Sequence, residues 1–273
     1  MRVSLLRFVI IGSLFWTLSS CSFNRLFYPS YYQKEAVLEQ SNNKHRSFFL
    51  TSKKLKKLHC VQFECEERPA KAQIVYFHGN AGSIASYQSV ATTFCKAGYD
   101  CLLVDYIGYG QSEGTATHRS FLESGRTVAA YIEQQKYDLP VLLYGFSIGG
   151  HLSLTIAKEF QHQFDALITE GAFTTHKAIA VASVSKALKF GAKLLIKSRY
   201  SGIKAIEKIH IPKLIIHSTE DSTVPYWMGE ALRDKATQNC FFWSIKGRHG
   251  SAMQDSSSFF GQLNNLIQNI DDL

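Results

Sequence analysis

The chain has 273 residues, 45% of them hydrophobic and 13% aromatic, with a formal net charge of +8. That apolar content excludes a globally disordered chain, and the length fits one or two domains or a single α/β layer with one core. The positive charge comes without any recognised nucleic-acid-binding motif, so no nucleic-acid partner is expected.

Residues 1–20 read as a signal peptide and are set apart from the fold. Arg2 and Arg7 make a basic start, and "FVIIGSLFWTL", residues 8–18, is an apolar run. Such a run is too short to cross a bilayer, which takes about 20 residues, but has the length of a signal-peptide core. "LSSC" closes it at Cys21 and resembles the bacterial lipobox. The resemblance implies cleavage ahead of Cys21 and lipidation of its side chain. Ser22, standing where an aspartate would signal retention, implies outer-membrane sorting and thus a lipid-anchored protein of the bacterial cell envelope, facing the periplasm. An ordinary secretory signal or a short uncleaved anchor fits the same residues.

Residues 21–47 read as an N-terminal arm whose aromatic segment "NRLFYPSYY" packs on a body spanning 48–273. In that body, extended runs alternate with helical periodicity. The extended runs are "RSFFLTS", "LHCVQFE", "QIVYFHG", "DCLLVDY", "VLLYG", "DALITEG", "KLIIHS" and "NCFFWSI". Several are almost continuous in Val, Ile, Leu and Tyr, as strands covered on both faces must be. Helical patterns occupy 85–96, 119–136, 148–160, 227–235 and 256–270. The basic run "KKLKK", residues 53–57, lies between the first two extended runs as a solvated hairpin turn would; attraction to anionic headgroups is the alternative. The order predicts two antiparallel lead-in strands followed by six parallel strands in βα units: an α/β fold with an eight-stranded, mostly parallel sheet flanked by helices. Residues 176–208 interrupt the alternation with helical periodicity and no strand. They form either a lid over the carboxyl ends of the strands or a long crossover connection.

Five cysteines remain besides Cys21. Cys60 and Cys65, about 17 Å apart if extended, cannot bridge without a turn, whereas Cys95 and Cys101 flank a helix-to-strand corner where a bridge is sterically conceivable. No spacing fits a metal site, and neither a metal nor an organic cofactor is expected.

The chemistry concentrates around Ser147. Gly145, Ser147 and Gly149 form G-x-S-x-G between the apolar run "VLLY" and a helix. The glycines suit a strained strand-to-helix turn that lifts the serine above the sheet, beside unpaired helix N–H groups. A serine is inert at neutral pH without a base. His249 in "KGRHG", after the last strand and flanked by Gly247 and Gly250, is the candidate. The orienting acid is Glu170, Glu220 or Asp221. Asp221 is preferred because a short carboxylate after the seventh strand reaches the Nδ1–H of a histidine, leaving Glu170 as a structural hydrogen-bonding partner below the site. The oxyanion donors are the backbone N–H groups of Ile148 and, from "FHGNAGS" after the third strand, Asn80.

Taken in order, "FHGNAGS", "DYIGYGQSEG", "GFSIGG", "TEGAF", "HSTEDSTVP" and "GRHG" resemble the serine α/β-hydrolases. The similarity is to the branch holding the bud-emergence hydrolase and the α/β-hydrolase-domain depalmitoylases, from about Phe27 to the C-terminus. The resemblance implies an eight-stranded α/β-hydrolase fold with Ser147, Asp221 and His249 as the triad, and it leaves the substrate open. Ser218 stands where many relatives have glycine, which reshapes the loop. The expected activity is hydrolysis of a small-molecule or lipid acyl ester or thioester through an acyl-enzyme on Ser147. A serine peptidase of the same fold and a catalytically idle binding or scaffold protein are the alternatives.

Overall fold

The computed structural model describes residues 27–28, 31–32, 44–80, 82–196 and 198–271. The signal peptide, Cys21 and most of the arm lie outside the described residues. Eight strands form one sheet: β1 His45–Thr51, β2 Lys57–Phe63, β3 Gln73–Phe77, β4 Asp100–Val104, β5 Val141–Phe146, β6 Ala166–Glu170, β7 Lys213–Ser218 and β8 Cys240–Ile245. Their spatial order is β8-β7-β6-β5-β3-β4-β2-β1. β1 and β2 pair antiparallel, β2 pairs antiparallel with β4, and the remaining six strands are mutually parallel. This is the predicted fold class. The basic run at 53–57 turns the β1–β2 hairpin, where the Ser52 and Lys56 backbones are bonded.

The near-continuous apolar strands feed two cores. Val75, Phe77, Leu102, Val104, Leu143, Leu167 and Ile215 point to one face of the sheet. Ile74, Tyr76, Cys101, Leu103, Leu142, Tyr144, Ile168 and Ile216 point to the other. Period-two alternation thus buries every second residue against a different helix layer. α2 (His118–Gln135), α3 (Ile148–Phe160) and α7 (Trp227–Lys235) cover the first face, while α1 (Ile84–Lys96) and α8 (Ser256–Asp271) cover the second.

Residues 176–208 hold three short helices, α4 (His176–Ser183), α5 (Lys189–Leu195) and α6 (Gly202–Ile206). Val184 and Ser185 are extended and end α4. α6 returns the chain to the body: a Cβ on Gly202 would stand 2.8 Å from Leu154 of α3, and Ala205 and Ile206 are buried. α5 stands outward, with Phe190 and Leu194 exposed.

Of the arm, Phe27 and Tyr28 are buried, and the Tyr28 hydroxyl is 2.6 Å from Nε2 of His176 at the start of α4. Tyr31–Tyr32 pairs in parallel with Tyr109–Gly110. A two-residue strand carries no periodicity, so this pairing is invisible in the sequence. Among the described residues no helix is long and apolar enough to cross a membrane. Cys60, Cys65, Cys95, Cys101 and Cys240 are free thiols, and the conceivable Cys95–Cys101 bridge is not formed.

Candidate active site

Ser147 occupies the one-residue turn between β5 and α3 with φ 57° and ψ −117°, a conformation that costs a non-glycine residue roughly 1–3 kcal/mol. Two backbone bonds hold it: the Ser147 N–H donates to the Glu170 carbonyl at 2.8 Å, and its own carbonyl accepts from the His151 N–H at 3.1 Å. The flanking glycines are there for space. A Cβ on Gly145 would lie 2.5 Å from the Gly149 carbonyl, and one on Gly149 would lie 2.1 Å from the Phe77 carbonyl and 2.6 Å from that of His78. Gly149 therefore lets the N-terminus of α3 rest against the end of β3. Gly149→Ala meets backbone that cannot rotate away, and it is expected to cost about 3 kcal/mol or more, near 6–12 °C in Tm for a chain of this size. Thermal unfolding of the purified variant measures it.

Asp221 lies just past β7. Its Oδ1 accepts from the Thr223 and Val224 N–H groups, both at 2.8 Å, and its Oδ2 is 2.6 Å from Nδ1 of His249. Burial by itself would raise the Asp221 carboxyl, but the hydrogen bonds from His249 and these two amides hold it below its usual range. An ionised Asp221 fixes the proton of His249 on Nδ1 and leaves the lone pair on Nε2.

The His249 ring lies against Phe146, the residue before the serine, with centroids 4.8 Å apart. On another side it meets Gly171, where an added Cβ would come within 2.5 Å of Cε1. Nε2 of His249 is buried and takes no hydrogen bond from Ser147 or any other described residue. The structure thus joins Asp221 to His249 and seats the ring next to the serine turn, while the serine hydroxyl is not hydrogen-bonded to it.

The loop bearing His249 is laced to its surroundings. Glu220 Oε2 accepts from the Gly247 N–H at 2.9 Å, and the Ser218 hydroxyl donates to the Gly247 carbonyl. Glu170, the third carboxylate considered, does not touch His249 by hydrogen bond. Its Oε2 accepts from the Tyr144 hydroxyl at 2.6 Å and its Oε1 from the Ala252 N–H at 2.9 Å. Burial raises its pKa against the opposing pull of those two bonds. Glu170 therefore pins the His249 loop to the middle of the sheet, three residues beyond the histidine. Removing it as Glu170→Ala is expected to lower kcat roughly 10- to 100-fold with little change in KM, because the base is misplaced rather than the substrate lost. Glu170→Gln, which can accept from Ala252 and donate to Tyr144, is expected to restore most of that loss.

Ile148 opens α3, so its N–H belongs to the unpaired first turn. Asn80 follows β3, and its side-chain oxygen accepts from the Tyr109 hydroxyl at 3.0 Å, with the backbone carbonyl at 3.4 Å from the same hydroxyl. Its neighbour His78 is buried, which pushes its pKa down, and its carbonyl accepts from the Tyr106 hydroxyl at 2.8 Å. These contacts turn carbonyls toward the tyrosines. Sequence reasoning missed Tyr109, Tyr144, Phe146 and Gly171 as supports of the site. Tyr144, the residue immediately before Gly145 and facing the end of the next strand, was the findable one.

A second Ser–His–Asp chain exists elsewhere. The Ser47 hydroxyl is 2.9 Å from Nε2 of His59, whose Nδ1 is 2.9 Å from Oδ2 of Asp105. Asp105 also accepts from the Ile84 N–H at 2.7 Å and the Gln111 N–H at 3.2 Å, and Gly110 is packed against its carboxylate. Ser47 lies within the edge strand β1, with neither a strained turn nor a helix N-terminus beside it. Asp105 here fastens the lead-in hairpin, the start of α1 and the loop carrying Tyr109.

The sequence pattern of the serine aminopeptidase S33 family matches residues 68–205, half of the chain. The chain belongs to this family of α/β-hydrolases. The family match includes Asn80, Ser147 and Ile148 and stops before Asp221 and His249, whose placement rests on the geometry above. YfhR of Escherichia coli K12 is 27% identical over 173 residues, covering 62% of this chain and 59% of that protein. The lysophosphatidylserine lipase ABHD12 of Mus musculus is 29% identical over 190 residues, covering 64% of this chain and 48% of that protein. The chain thus spans less than two thirds of the length of these relatives. An α/β-hydrolase from Vibrio vulnificus superposes with a TM-score of 0.73 at 18% identity over 93% of both chains, a likeness of fold.

Proposed function

We propose that the protein is a serine hydrolase of carboxylic esters or thioesters. The carrying observation is the 2.6 Å bond between His249 Nδ1 and Asp221 Oδ2, made on a ring seated against Phe146, beside the strained Ser147. Nε2 of His249 takes the Ser147 proton, and Ser147 Oγ attacks the acyl carbon. The N–H groups of Asn80 and Ile148 hold the oxyanion, and the protonated His249 delivers its proton to the departing alcohol or thiol. Water, deprotonated by the same nitrogen, then releases the acid. The scheme uses no metal or organic cofactor. A lipid acyl ester is the favoured substrate class, supported by the similarity to a lysophosphatidylserine lipase.

The placement proposed with this activity is the bacterial cell envelope, on the periplasmic side of the outer membrane, through lipid on Cys21. Radiolabelled palmitate incorporation that disappears in Cys21→Ala tests the anchor; equal labelling of both forms rejects it.

The family's description favours one second reading, an aminopeptidase. A panel of acyl esters of graded chain length, lysophospholipids and aminoacyl amides separates the two. Turnover of esters with the amides inert is the expected result. Turnover confined to amides makes the protein a peptidase, and inertness toward every substrate together with no fluorophosphonate labelling makes it a binding or scaffold protein.

A further inference from the structure

The segment between β6 and β7 has a composition the proposed chemistry does not require. From Gly171 through Ile206 it contains seven lysines and arginines and no aspartate or glutamate. Its outward part also exposes large apolar side chains: Leu188 is 62% exposed, Phe190 79% and Leu194 70%. Phe190 and Leu194, four apart on α5, share a face, and the exposed Lys189 and Lys193 run alongside them at the same spacing, with the exposed Lys186 one turn earlier. A surface meant only for water would not present three bare hydrocarbon side chains together.

The β1–β2 turn repeats the composition. Leu55 is 80% exposed and is flanked by Lys53, Lys54, Lys56 and Lys57. Its position follows from register: Cys60 of β2 pairs with Val104, the last residue of β4, so the chain before Cys60 runs past the carboxyl ends of the parallel strands. Ser147 follows the carboxyl end of β5, and the acid-free segment leaves from the carboxyl end of β6. Both basic, apolar projections therefore rise from the rim of the sheet that holds Ser147.

We infer that this rim docks on an anionic lipid bilayer, with Phe190, Leu188 and Leu194 entering the headgroup boundary and Lys186, Lys189 and Lys193 pairing with lipid phosphates. Charge decides the occupant. Long lysine stems keep their ammonium groups at the headgroups while the hydrocarbon between them inserts, the division of labour found in interfacial helices. A protein partner would have to match cations over the whole segment with acids; a bilayer rich in phosphatidylglycerol does so wherever the rim lands. The inference requires neither lipid on Cys21 nor turnover, and it holds the serine turn facing the layer where acyl chains reside.

Tryptophan quenching by brominated phosphatidylglycerol vesicles tests it on the full chain, since a lipid at the N-terminus cannot by itself bring position 190 into contact with bromine. Phe190→Trp is expected to be quenched well beyond the wild-type protein. Phe241→Trp, at the amino end of β8 on the opposite rim, is expected to match the wild type. Neutral brominated phosphatidylcholine vesicles, or Lys186→Gln/Lys189→Gln/Lys193→Gln added to Phe190→Trp, should weaken quenching at position 190 about tenfold. Absence of quenching at 190, or equal quenching at 190 and 241, overturns the inference. So does a Leu188→Ser/Phe190→Ser/Leu194→Ser variant that dissociates a dimer in vesicle-free solution, since the face then belongs to a second copy of the chain.

Discussion

Ser147→Ala is expected to remove fluorophosphonate labelling completely and to lower ester turnover on the order of 10⁴- to 10⁶-fold, leaving the residual rate that oxyanion donors and binding supply. Alanine keeps the backbone of the turn, because the bonds holding Ser147 to Glu170 and His151 are made by main-chain atoms. The variant should therefore melt with the wild type, and loss of labelling will report lost chemistry rather than lost fold. His249→Ala should cost about as much, and the double variant no more than either alone, since nucleophile and base act as one unit. Labelling of Ser147→Ala at the wild-type rate would place the nucleophile elsewhere. The hydroxyl to examine then is Ser47, hydrogen-bonded to His59.

Asp221→Asn is expected to lower kcat about 10⁴-fold without unfolding the protein. The Thr223 and Val224 N–H groups both point at Oδ1, so the amide of an asparagine must turn its oxygen toward them. Its NH₂ then faces Nδ1 of His249, which can no longer carry a proton there. The imidazole shifts its proton to Nε2, the nitrogen that must accept one from Ser147. Glu170→Gln should show no comparable loss, and the reverse pattern would transfer the orienting role to Glu170. Stability gives an independent reading. The folded Asp221 pKa lies below its ordinary value, so its contribution is present above an unfolded pKa of about 3.9 and fades as pH falls through the lower folded value. The gap in Tm between wild type and Asp221→Asn should narrow below about pH 4.

The inner strands were legible because burial on both faces demands nearly uninterrupted apolar runs; the edge strands β1 and β8 are exposed or half-buried, and all eight runs form strands of the main sheet. The helices at Ile148–Phe160 and Trp227–Lys235 have the bounds their periodicity predicts. Chain order also set Asp221 and His249 in loops after adjacent parallel strands, and the structure hydrogen-bonds them. What stayed hidden depends on pairing between distant segments. Nothing in the sequence around His59 marks its role, because its partner Asp105 lies 46 positions away. Glu170 was separable from Asp221 only in its role, not its partners: Tyr144 and Ala252 meet it from opposite sides in sequence. The segment 176–208 showed helical periodicity throughout, yet Val184 and Ser185 break it by adopting extended backbone that propensity alone does not forbid.

The bond between Tyr28 and His176 has a consequence for reach. Tyr28 is buried and fixed to the body seven residues after Cys21. Seven residues fully stretched cover at most about 25 Å, less than the diameter of a protein this size. A fatty chain on Cys21 would then act as a short leash clipped next to α4, leaving the molecule little freedom to roll and turning its landing on the bilayer from a search into a pivot.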